Sequence, residues 1–398
     1  MNHAFATRMD NVPKSFIREI LKVTENPEII SFAGGLPNPA LFPVQEIAAA
    51  AQKVLQNNGH EALQYSTTEG YGPLREYIAQ RYARRFGLPV DPAHILITTG
   101  SQQGLDLIAK VLLNQGDPVL LERPGYLGAI QTFSLYEPTF HTVPLCDDGP
   151  DLAILEQILR RERVKLFYAV PNFQNPSGLT YSAQKRPEVA RLLRQQQVIF
   201  IEDDPYGELR FKGQHLPSMR QYLQENIILL GSFSKIVSPA LRLGWVYAGP
   251  ETLDKLVIAK QAADLHTNYL AQRILYQYLC DNDLDSHIQK IRQAYGRQRD
   301  LMVSVIEECF PPEVSYSRPE GGMFLWVTLP ESMSASALFD EAARRKVAFV
   351  PGQAFYVDGG GHNTLRLNFS NADEARIIEG IQRLAEAIKS QWNHSKVQ

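Results

Sequence analysis

The chain has 398 residues, a formal net charge of −3 at pH 7, 44% hydrophobic residues and 21% charged residues. This length predicts more than one domain, and the near-neutral balance argues against nucleic acid as a partner. Three widely spaced cysteines, Cys146, Cys280 and Cys309, form neither a disulfide framework nor a metal-ligand pattern. No apolar run reaches the ~20 residues of a membrane helix, so we expect a cytoplasmic protein without membrane contact or metal site.

Residues from about 94 to 250 alternate between short apolar segments and amphipathic segments. Such alternation is typical of an α/β fold, in which helices cover both faces of a mostly parallel sheet. We predict strands at 94–99, 118–122, 165–170, 198–203 and 227–230. The intervening helices are predicted at 105–113, 151–160 and 183–196.

The C-terminal part has a different pattern and predicts a smaller α+β domain. Its strands are expected at 319–329, 347–352 and 364–369, and its helices at about 334–345 and 372–390. A single long helix over 254–300 would link the two parts. We therefore predict three regions: an N-terminal segment (1–45) packing on the small domain and active site, a large ligand-binding domain (46–300) and a small domain (301–398).

Polar or aromatic residues follow the carboxyl ends of the five predicted strands. In chain order these residues are Gly100, Ser101 and Gln102, then Tyr126, Asn175, Asp203 and Lys235. Ligands of mostly parallel sheets bind outside the carboxyl ends of the strands. We expect these loops to converge on one crevice.

Lys235 directly follows the last of these strands, in Gly231-Ser-Phe-Ser-Lys-Ile-Val-Ser-Pro-Ala-Leu-Arg242. Burial and nearby cations favour a neutral lysine amine, which can form a Schiff base with an aldehyde. Ser232, Ser234 and Arg242 are suited to holding a phosphate monoester beside it. An aldehyde that carries a phosphate describes pyridoxal 5'-phosphate (PLP). A loop lysine beside serines by chance is the alternative interpretation of this segment alone.

With these motifs in order, the chain resembles a fold-type I PLP-dependent aminotransferase of class I/II, in the 2-aminoadipate aminotransferase-like branch. The similarity extends from Ser31-Phe-Ala-Gly-Gly-Leu-Pro to Leu365-Arg-Leu-Asn-Phe. It implies a large domain with a mostly parallel seven-stranded sheet of the aspartate aminotransferase type, plus a smaller α+β domain. It also implies a PLP-binding large domain and a homodimer with shared active sites.

The resemblance assigns most of these residues to the cofactor. Asp203, in Asp-Asp-Pro-Tyr206, would pair with the pyridine nitrogen, and Tyr206 and Asn175 would hydrogen-bond the phenolic oxygen. Tyr126 would stack on the ring. The phosphate would be held by Gly100, Ser101, Gln102, Ser232, Ser234 and Arg242, together with Tyr65 from the partner subunit.

Four residues are assigned to the substrate by the same resemblance. Arg366 would bind the α-carboxylate through its forked guanidinium, with Asn175 and Gly35 beside it. Arg18, on the N-terminal helix, would meet a distal carboxylate; a solvated helix arginine is the alternative for this residue.

The implied reaction is a ping-pong transamination in which Lys235 also acts as the general base. The amino donor would be an L-amino acid of the 2-aminoadipate, glutamate, aromatic or branched-chain type, and the acceptor a 2-oxo acid such as 2-oxoglutarate. A PLP-dependent lyase on the same fold is an alternative, because it would keep Lys235, Asp203 and Arg242. A remote alternative is the effector-sensing domain of a transcription regulator. We disfavour it because the first ~30 residues are too few for a winged-helix domain.

Overall fold

The computed structural model describes residues 5–9 and 26–395. In chain order the strands are β1 (Ile30–Ser31), β2 (Ile95–Thr99), β3 (Pro118–Arg123), β4 (Thr139–Cys146), β5 (Gly149–Pro150), β6 (Leu166–Ala169), β7 (Ile199–Asp203), β8 (Ile227–Ser232), β9 (Leu243–Tyr247), β10 (Ser315–Tyr316), β11 (Phe324–Thr328), β12 (Val347–Ala348), β13 (Val350–Pro351) and β14 (Thr364–Asn368).

The α-helices of the described residues are α1 (Val44–Ala62), α2 (Gly72–Phe86), α3 (Gly100–Leu112), α4 (Leu127–Ser134), α5 (Leu152–Arg161), α6 (Lys185–Gln195), α7 (Arg220–Leu223), α8 (Pro250–Asp264), α9 (Tyr269–Asp281), α10 (Leu284–Cys309), α11 (Ala335–Arg344) and α12 (Glu374–Ser395). None of them is long and apolar enough to cross a bilayer. Short 3-10 turns lie at Thr7–Met9, Pro39–Leu41, Pro92–His94, Gly207–Leu209, Pro239–Leu241 and Gly352–Phe355.

The large sheet has the strand order β2-β9-β8-β7-β6-β3-β4-β5. Strands β8, β7, β6, β3 and β4 are parallel neighbours, whereas β9 runs antiparallel to both β2 and β8. The two-residue β5 only extends the edge beyond β4, so the expected seven-stranded, mostly parallel sheet is present. Its central strands are buried along their whole length because helices cover both faces.

The smaller sheet has the order β10-β11-β14-β13 and is antiparallel. The N-terminal strand β1 pairs in parallel with β12, which lies in the same C-terminal part of the chain. This pairing attaches the segment around residue 30 to the region predicted as the small domain.

The predicted helix over 254–300 is wrong as a single element, because the chain forms three helices there. Helix α8 ends before Leu265, which has a left-handed backbone with φ of 63°. The Asn268 side chain accepts a hydrogen bond from the Ala271 amide and caps α9, and Asp283 caps α10 in the same way. Helix α10 then runs through residue 300, where the domain boundary was predicted.

Candidate active site

A cavity of about 390 Å³ lies at the carboxyl edge of the large sheet. All the predicted site residues except Tyr65 and Arg18 line it. The lining residues are Gly35, Gly100, Ser101, Gln102, Tyr126, Tyr168, Val170, Asn175, Asp203, Pro205, Tyr206, Ser232, Ser234, Lys235, Pro239, Arg242, Phe324 and Arg366. Because β2, β3, β6, β7 and β8 point the same way, the loops that follow them meet at this edge, as the sequence predicts.

Lys235 follows β8, and its Nζ donates a hydrogen bond to the Gly35 carbonyl at 2.8 Å. Burial, reinforced by the positive charges of Arg366 and Arg242, lowers the pKa of this amine to about 8. A substantial fraction of the amine is therefore neutral near pH 8 and able to act as a nucleophile.

Asp203 ends β7 and is 2% exposed. Its Oδ2 accepts a hydrogen bond from the Tyr168 hydroxyl at 2.7 Å. Its buried Oδ1 has no hydrogen-bond partner within the described residues. Burial raises the pKa of the carboxyl to about 7, against the opposing effect of the Tyr168 hydrogen bond. An unpartnered buried carboxylate oxygen in a cavity is typical of a site that receives a cationic or hydrogen-bond-donating ligand group.

One end of the cavity is suited to an anion. Helix α3 begins at Gly100 immediately after β2, so the amide groups of its first turn have no partner within the helix. Gly100 has φ of 72°, and a Cβ there would lie 2.6 Å from Nη2 of Arg242. Glycine thus allows the arginine to approach the helix terminus.

Two serines from the end of β8 complete this end of the cavity. Ser232 and Ser234 both line it, and the Ser234 amide donates to Oγ of Ser232 at 3.1 Å. Gln102 also lines the cavity, but its side-chain amide donates to the Gly128 carbonyl at 3.2 Å and to Oγ1 of Thr132 at 2.5 Å. Its contribution to anion binding would therefore come from the backbone amide.

Arg366 comes from the small sheet, on β14, and is 3% exposed. Its Nη1 donates to Oδ1 of Asn175 at 2.7 Å, and its Nη2 donates to the Ala33 carbonyl at 2.6 Å. The guanidinium carbon lies 4.4 Å from the centre of the Phe324 ring. Burial lowers the pKa of Arg366 to about 10, so the group remains charged at neutral pH.

Tyr126 and Tyr206 supply the aromatic part of the lining. The Tyr126 ring lies nearly parallel to the Tyr168 ring, with centroids 6.4 Å apart, and the Tyr206 ring meets Phe324 edge-on at 5.9 Å. Burial raises the pKa of Tyr126 to about 12, and that of Tyr206 moves in the same direction. Both hydroxyls are therefore hydrogen-bond donors at neutral pH.

Two predicted site residues are not in this cavity. Tyr65 is 78% exposed and packs edge-on against His266, with ring centroids 5.8 Å apart. It lines a separate open surface depression instead. Arg18 lies outside the described residues, and its role stays a prediction.

The sequence interpretation missed Tyr168, Val170, Pro205, Pro239 and Phe324 as lining residues. It also missed the buried group that positions Asn175. The side-chain amide of the preceding Gln174 donates to Glu122 at 3.1 Å and to the Pro124 carbonyl at 2.7 Å, which ties this loop to the end of β3. In the sequence, only the polarity of Gln174 beside apolar residues hinted at this role. Its partners, Glu122 and Pro124, are about 50 residues away in the chain.

The donors and acceptors of the cavity fit PLP. The unpartnered Asp203 Oδ1 suits a pyridine nitrogen, the open helix terminus beside Arg242 suits the phosphate, and the Lys235 amine suits the aldehyde. In the part of the chain that the structure describes, no cluster of His, Cys, Asp or Glu is placed to bind a metal ion.

Comparisons with known proteins agree with this chemistry. Residues 28–384 match the family described as aminotransferase class I and II. The chain is 45% identical to a 2-aminoadipate transaminase of Thermus thermophilus, covering 98% of this chain and 97% of the relative. It is 42% identical to aromatic-amino-acid aminotransferase 1 of Thermococcus litoralis, covering 97% and 94%.

A solved structure gives the same result at the level of the fold. The alpha-aminoadipate aminotransferase from Thermus thermophilus, complexed with N-(5'-phosphopyridoxyl)-L-leucine, superposes with a TM-score of 0.92 at 44% identity. The match covers 98% of each chain.

Proposed function

Since the chain belongs to the class I and II aminotransferases, we propose that it moves the amino group of 2-aminoadipate, glutamate, aromatic or branched-chain L-amino acids to a 2-oxo acid such as 2-oxoglutarate. The protein is a PLP-dependent transaminase of fold type I. The observation that carries the residue roles is one cavity shared by the Lys235 amine, the unpartnered oxygen of Asp203 and the Arg366 guanidinium.

When bound, PLP supplies an electron sink for the carbanion that forms at the substrate α-carbon. Asp203 would hold the ring nitrogen through Oδ1, and Tyr126 would cover one ring face. Asn175 and Tyr206 would hydrogen-bond the phenolic oxygen. The phosphate would be held by the first amides of α3 and by Ser232, Ser234 and Arg242, where the helix terminus favours negative charge.

Lys235 would have two duties. Its amine would hold the cofactor through the aldehyde. Once the substrate amine has displaced it, Nζ would take the proton from the substrate α-carbon and deliver it to the cofactor carbon that carried the aldehyde. A pKa of about 8 suits both duties, because the amine can give and take a proton near neutral pH.

Arg366 would hold the substrate α-carboxylate. Two of its five N–H donors are used by Asn175 and Ala33, so three remain for the carboxylate fork. Gly35 would pass beside the substrate, since a Cβ there would already lie 3.3 Å from the Phe324 ring. Asn175 would link the substrate arginine to the cofactor.

The donor range is supported by the relatives and by the lining. The two curated relatives are named for 2-aminoadipate and aromatic amino acids, and the solved relative holds a leucine adduct. Val170, Phe324 and Tyr126 give this chain an apolar surface beside its cations. Arg18 would serve dicarboxylic donors alone, so Arg18→Ala should raise KM for 2-aminoadipate and leave KM for leucine unchanged.

The reaction type is tested by mixing the PLP-loaded protein with each amino acid in the absence of any acceptor. A transaminase releases one equivalent of 2-oxo acid per site and stops, whereas a lyase would release ammonia over many turnovers. Adding 2-oxoglutarate should restart the reaction. Lys235→Ala should bind PLP yet lose turnover by about 10²- to 10⁴-fold, the contribution of a general base. Near-normal turnover in that variant would refute the assignment.

We further propose a homodimer in which Tyr65 reaches the phosphate of the neighbouring site. Tyr65 is exposed in the isolated chain, and Leu63 and Leu265 are exposed apolar residues of the same region, at 69% and 54%. Tyr65 and Lys235 would then act in one site from two different chains.

Subunit mixing tests this arrangement. Lys235→Ala and Tyr65→Ala homodimers are dissociated, mixed and reassembled. Shared sites predict recovered activity, because each mixed dimer contains one site with both native residues. If mixed dimers of confirmed composition recover no activity, each active site takes both Tyr65 and Lys235 from a single chain, and the proposal of shared sites is refuted.

We also propose a division into three regions and a cytoplasmic location. The division into 1–45, 46–300 and 301–398 is supported by the two separate sheets and by the pairing of β1 with β12, although α10 crosses residue 300. A cytoplasmic location is supported by three cysteines that form no disulfide.

A further inference from the structure

Tyr168 is a buried tyrosine on β6 that lines the cavity. The side chain is 1% exposed, and the hydroxyl donates to Oδ2 of Asp203 at 2.7 Å. The ring is fixed between Tyr126, which lies nearly parallel to it, and Phe133, which meets it edge-on at 5.9 Å. A tyrosine held in this way cannot turn its hydroxyl elsewhere without losing its packing.

The two oxygens of Asp203 have different surroundings. Oδ2 accepts the Tyr168 hydrogen bond, whereas the buried Oδ1 has no partner in the described part of the chain. The neighbouring Asp204 is not equivalent, since its Oδ1 already accepts from Asn172 at 3.0 Å and from the Gly207 amide at 2.9 Å. Oδ1 of Asp203 is therefore the carboxylate oxygen available to a ligand.

We propose that Tyr168 is a positioning residue that acts through Asp203: its hydroxyl orients the carboxylate and keeps it ionised, so that the proton shared with the PLP ring nitrogen stays on the nitrogen. The inference rests on the proposed role of Asp203. One proton lies between a carboxylate and a pyridine nitrogen in such a pair. A donor on the second carboxylate oxygen stabilises the ionised carboxylate and moves the proton towards the ring.

The effect is large because the pair is buried. In a site of low dielectric, a carboxylate that loses its donor is strongly driven towards the neutral form. The charged neighbours of Asp203 do not replace the donor, since the nearby Asp204 carries the same sign. Tyr168 would thus influence how strongly the PLP ring withdraws electrons, although Tyr168 itself does not contact the substrate.

Tyr168→Phe tests the inference, because it removes the hydroxyl and keeps the ring packing. The readout is the nitrogen-15 chemical shift of ring-labelled PLP bound to the protein, together with the PLP dissociation constant. We expect the signal to move towards the unprotonated position and PLP to bind about 10- to 150-fold more weakly, the range for a hydrogen bond to a charged group. An unchanged signal in the folded variant would overturn the proposal.

Tyr181→Phe is the matched control. Tyr181 is equally buried, and its hydroxyl donates to a buried carboxylate oxygen, Oε1 of Glu122, at 2.7 Å. Neither residue of this second pair lines the cavity. Both variants should lower the melting temperature by similar amounts, whereas Tyr168→Phe alone should move the nitrogen signal. Equal changes of the nitrogen-15 signal in both variants would show that Tyr168 has only a structural role, and would refute the proposal.

Asp203→Asn separates this inference from the function on which it rests. If Tyr168 acts through Asp203, adding Tyr168→Phe to Asp203→Asn should change the signal and the PLP affinity much less than it does in the native protein. Equal effects in both backgrounds would refute the coupling. If Asp203→Asn itself leaves the signal unchanged, the proposed role of Asp203 fails, and the Tyr168 inference fails with it.

Discussion

Replacing Arg366 with lysine should raise KM for every L-amino acid while leaving PLP affinity nearly unchanged. Arg366 donates one N–H to Oδ1 of Asn175 and one to the Ala33 carbonyl, so three N–H groups remain for a substrate carboxylate. A lysine ammonium has three donors on one atom. If two of them keep the Asn175 and Ala33 contacts, only one is left for a substrate carboxylate.

The magnitude follows from the lost contact. A bidentate guanidinium–carboxylate pair becomes a single contact, so one charge-assisted hydrogen bond disappears. Such a bond contributes about 1.5–3 kcal/mol, which corresponds to a rise of roughly 10- to 150-fold in KM. The shorter reach of lysine adds to this loss, since the Arg366 guanidinium also lies over the Phe324 ring.

The assay is a comparison of KM and kcat for several donors with 2-oxoglutarate held constant. Arg186→Lys is the control, because Arg186 is a fully buried arginine that donates to Oδ1 of Asn172 and to the Pro171 carbonyl, away from the cavity lining. The control should lose stability but keep its KM values. A KM within threefold of the native value in folded Arg366→Lys would refute the α-carboxylate role.

Two further changes test the cofactor end of the site. The rate at which cofactor-free protein captures PLP should fall about tenfold per pH unit below pH 8 and become constant above pH 8. Only the neutral amine reacts, and the pKa of Lys235 is about 8. Stopped-flow absorbance measures this rate, and a rate that still rises at pH 10 would indicate an ordinary lysine pKa. Gly100→Ala should cost about 1–2 kcal/mol of strain and weaken PLP binding about tenfold, since its Cβ would meet Arg242 at 2.6 Å. Gly87→Ala is the control, because Gly87 has φ of 57° but a Cβ there would meet no other part of the protein within 4 Å. It should show comparable strain and normal PLP affinity. Equal losses of PLP affinity in both variants would exclude the Arg242 contact as the cause.

The strands of the large sheet were predictable because each is a short apolar run with a polar or glycine-containing boundary. Ile95–Thr99, Ile199–Asp203 and Ile227–Ser232 lie within two residues of the predicted limits. The direction of the strands follows from the intervening helices. Once the strands are parallel, the residues after their carboxyl ends must share an edge, and this geometry makes the cavity predictable.

The errors arose where a local pattern was ambiguous or the contact was distant in sequence. Residues 254–300 have helical composition throughout, and the breaks depend on single residues, such as the left-handed Leu265 and the capping Asn268 and Asp283. Tyr168 was assigned only to an apolar strand, because nothing in the sequence connects its hydroxyl with Asp203, 35 positions later. Pairings of this kind appear only when neighbouring strands are placed side by side.

The charges of the cavity explain why these separate contacts form one site. Among its described lining residues, Lys235, Arg242 and Arg366 are basic and Asp203 alone is acidic. Burial makes the charges of Lys235 and Arg366 unfavourable, since it lowers the pKa of both groups. A phosphate at one end and a carboxylate at the other would offset that cost. Binding of both anions should therefore stabilise the folded protein by an amount that rises with the logarithm of ligand concentration over dissociation constant. The cations whose burial is unfavourable would thus also select the ligands.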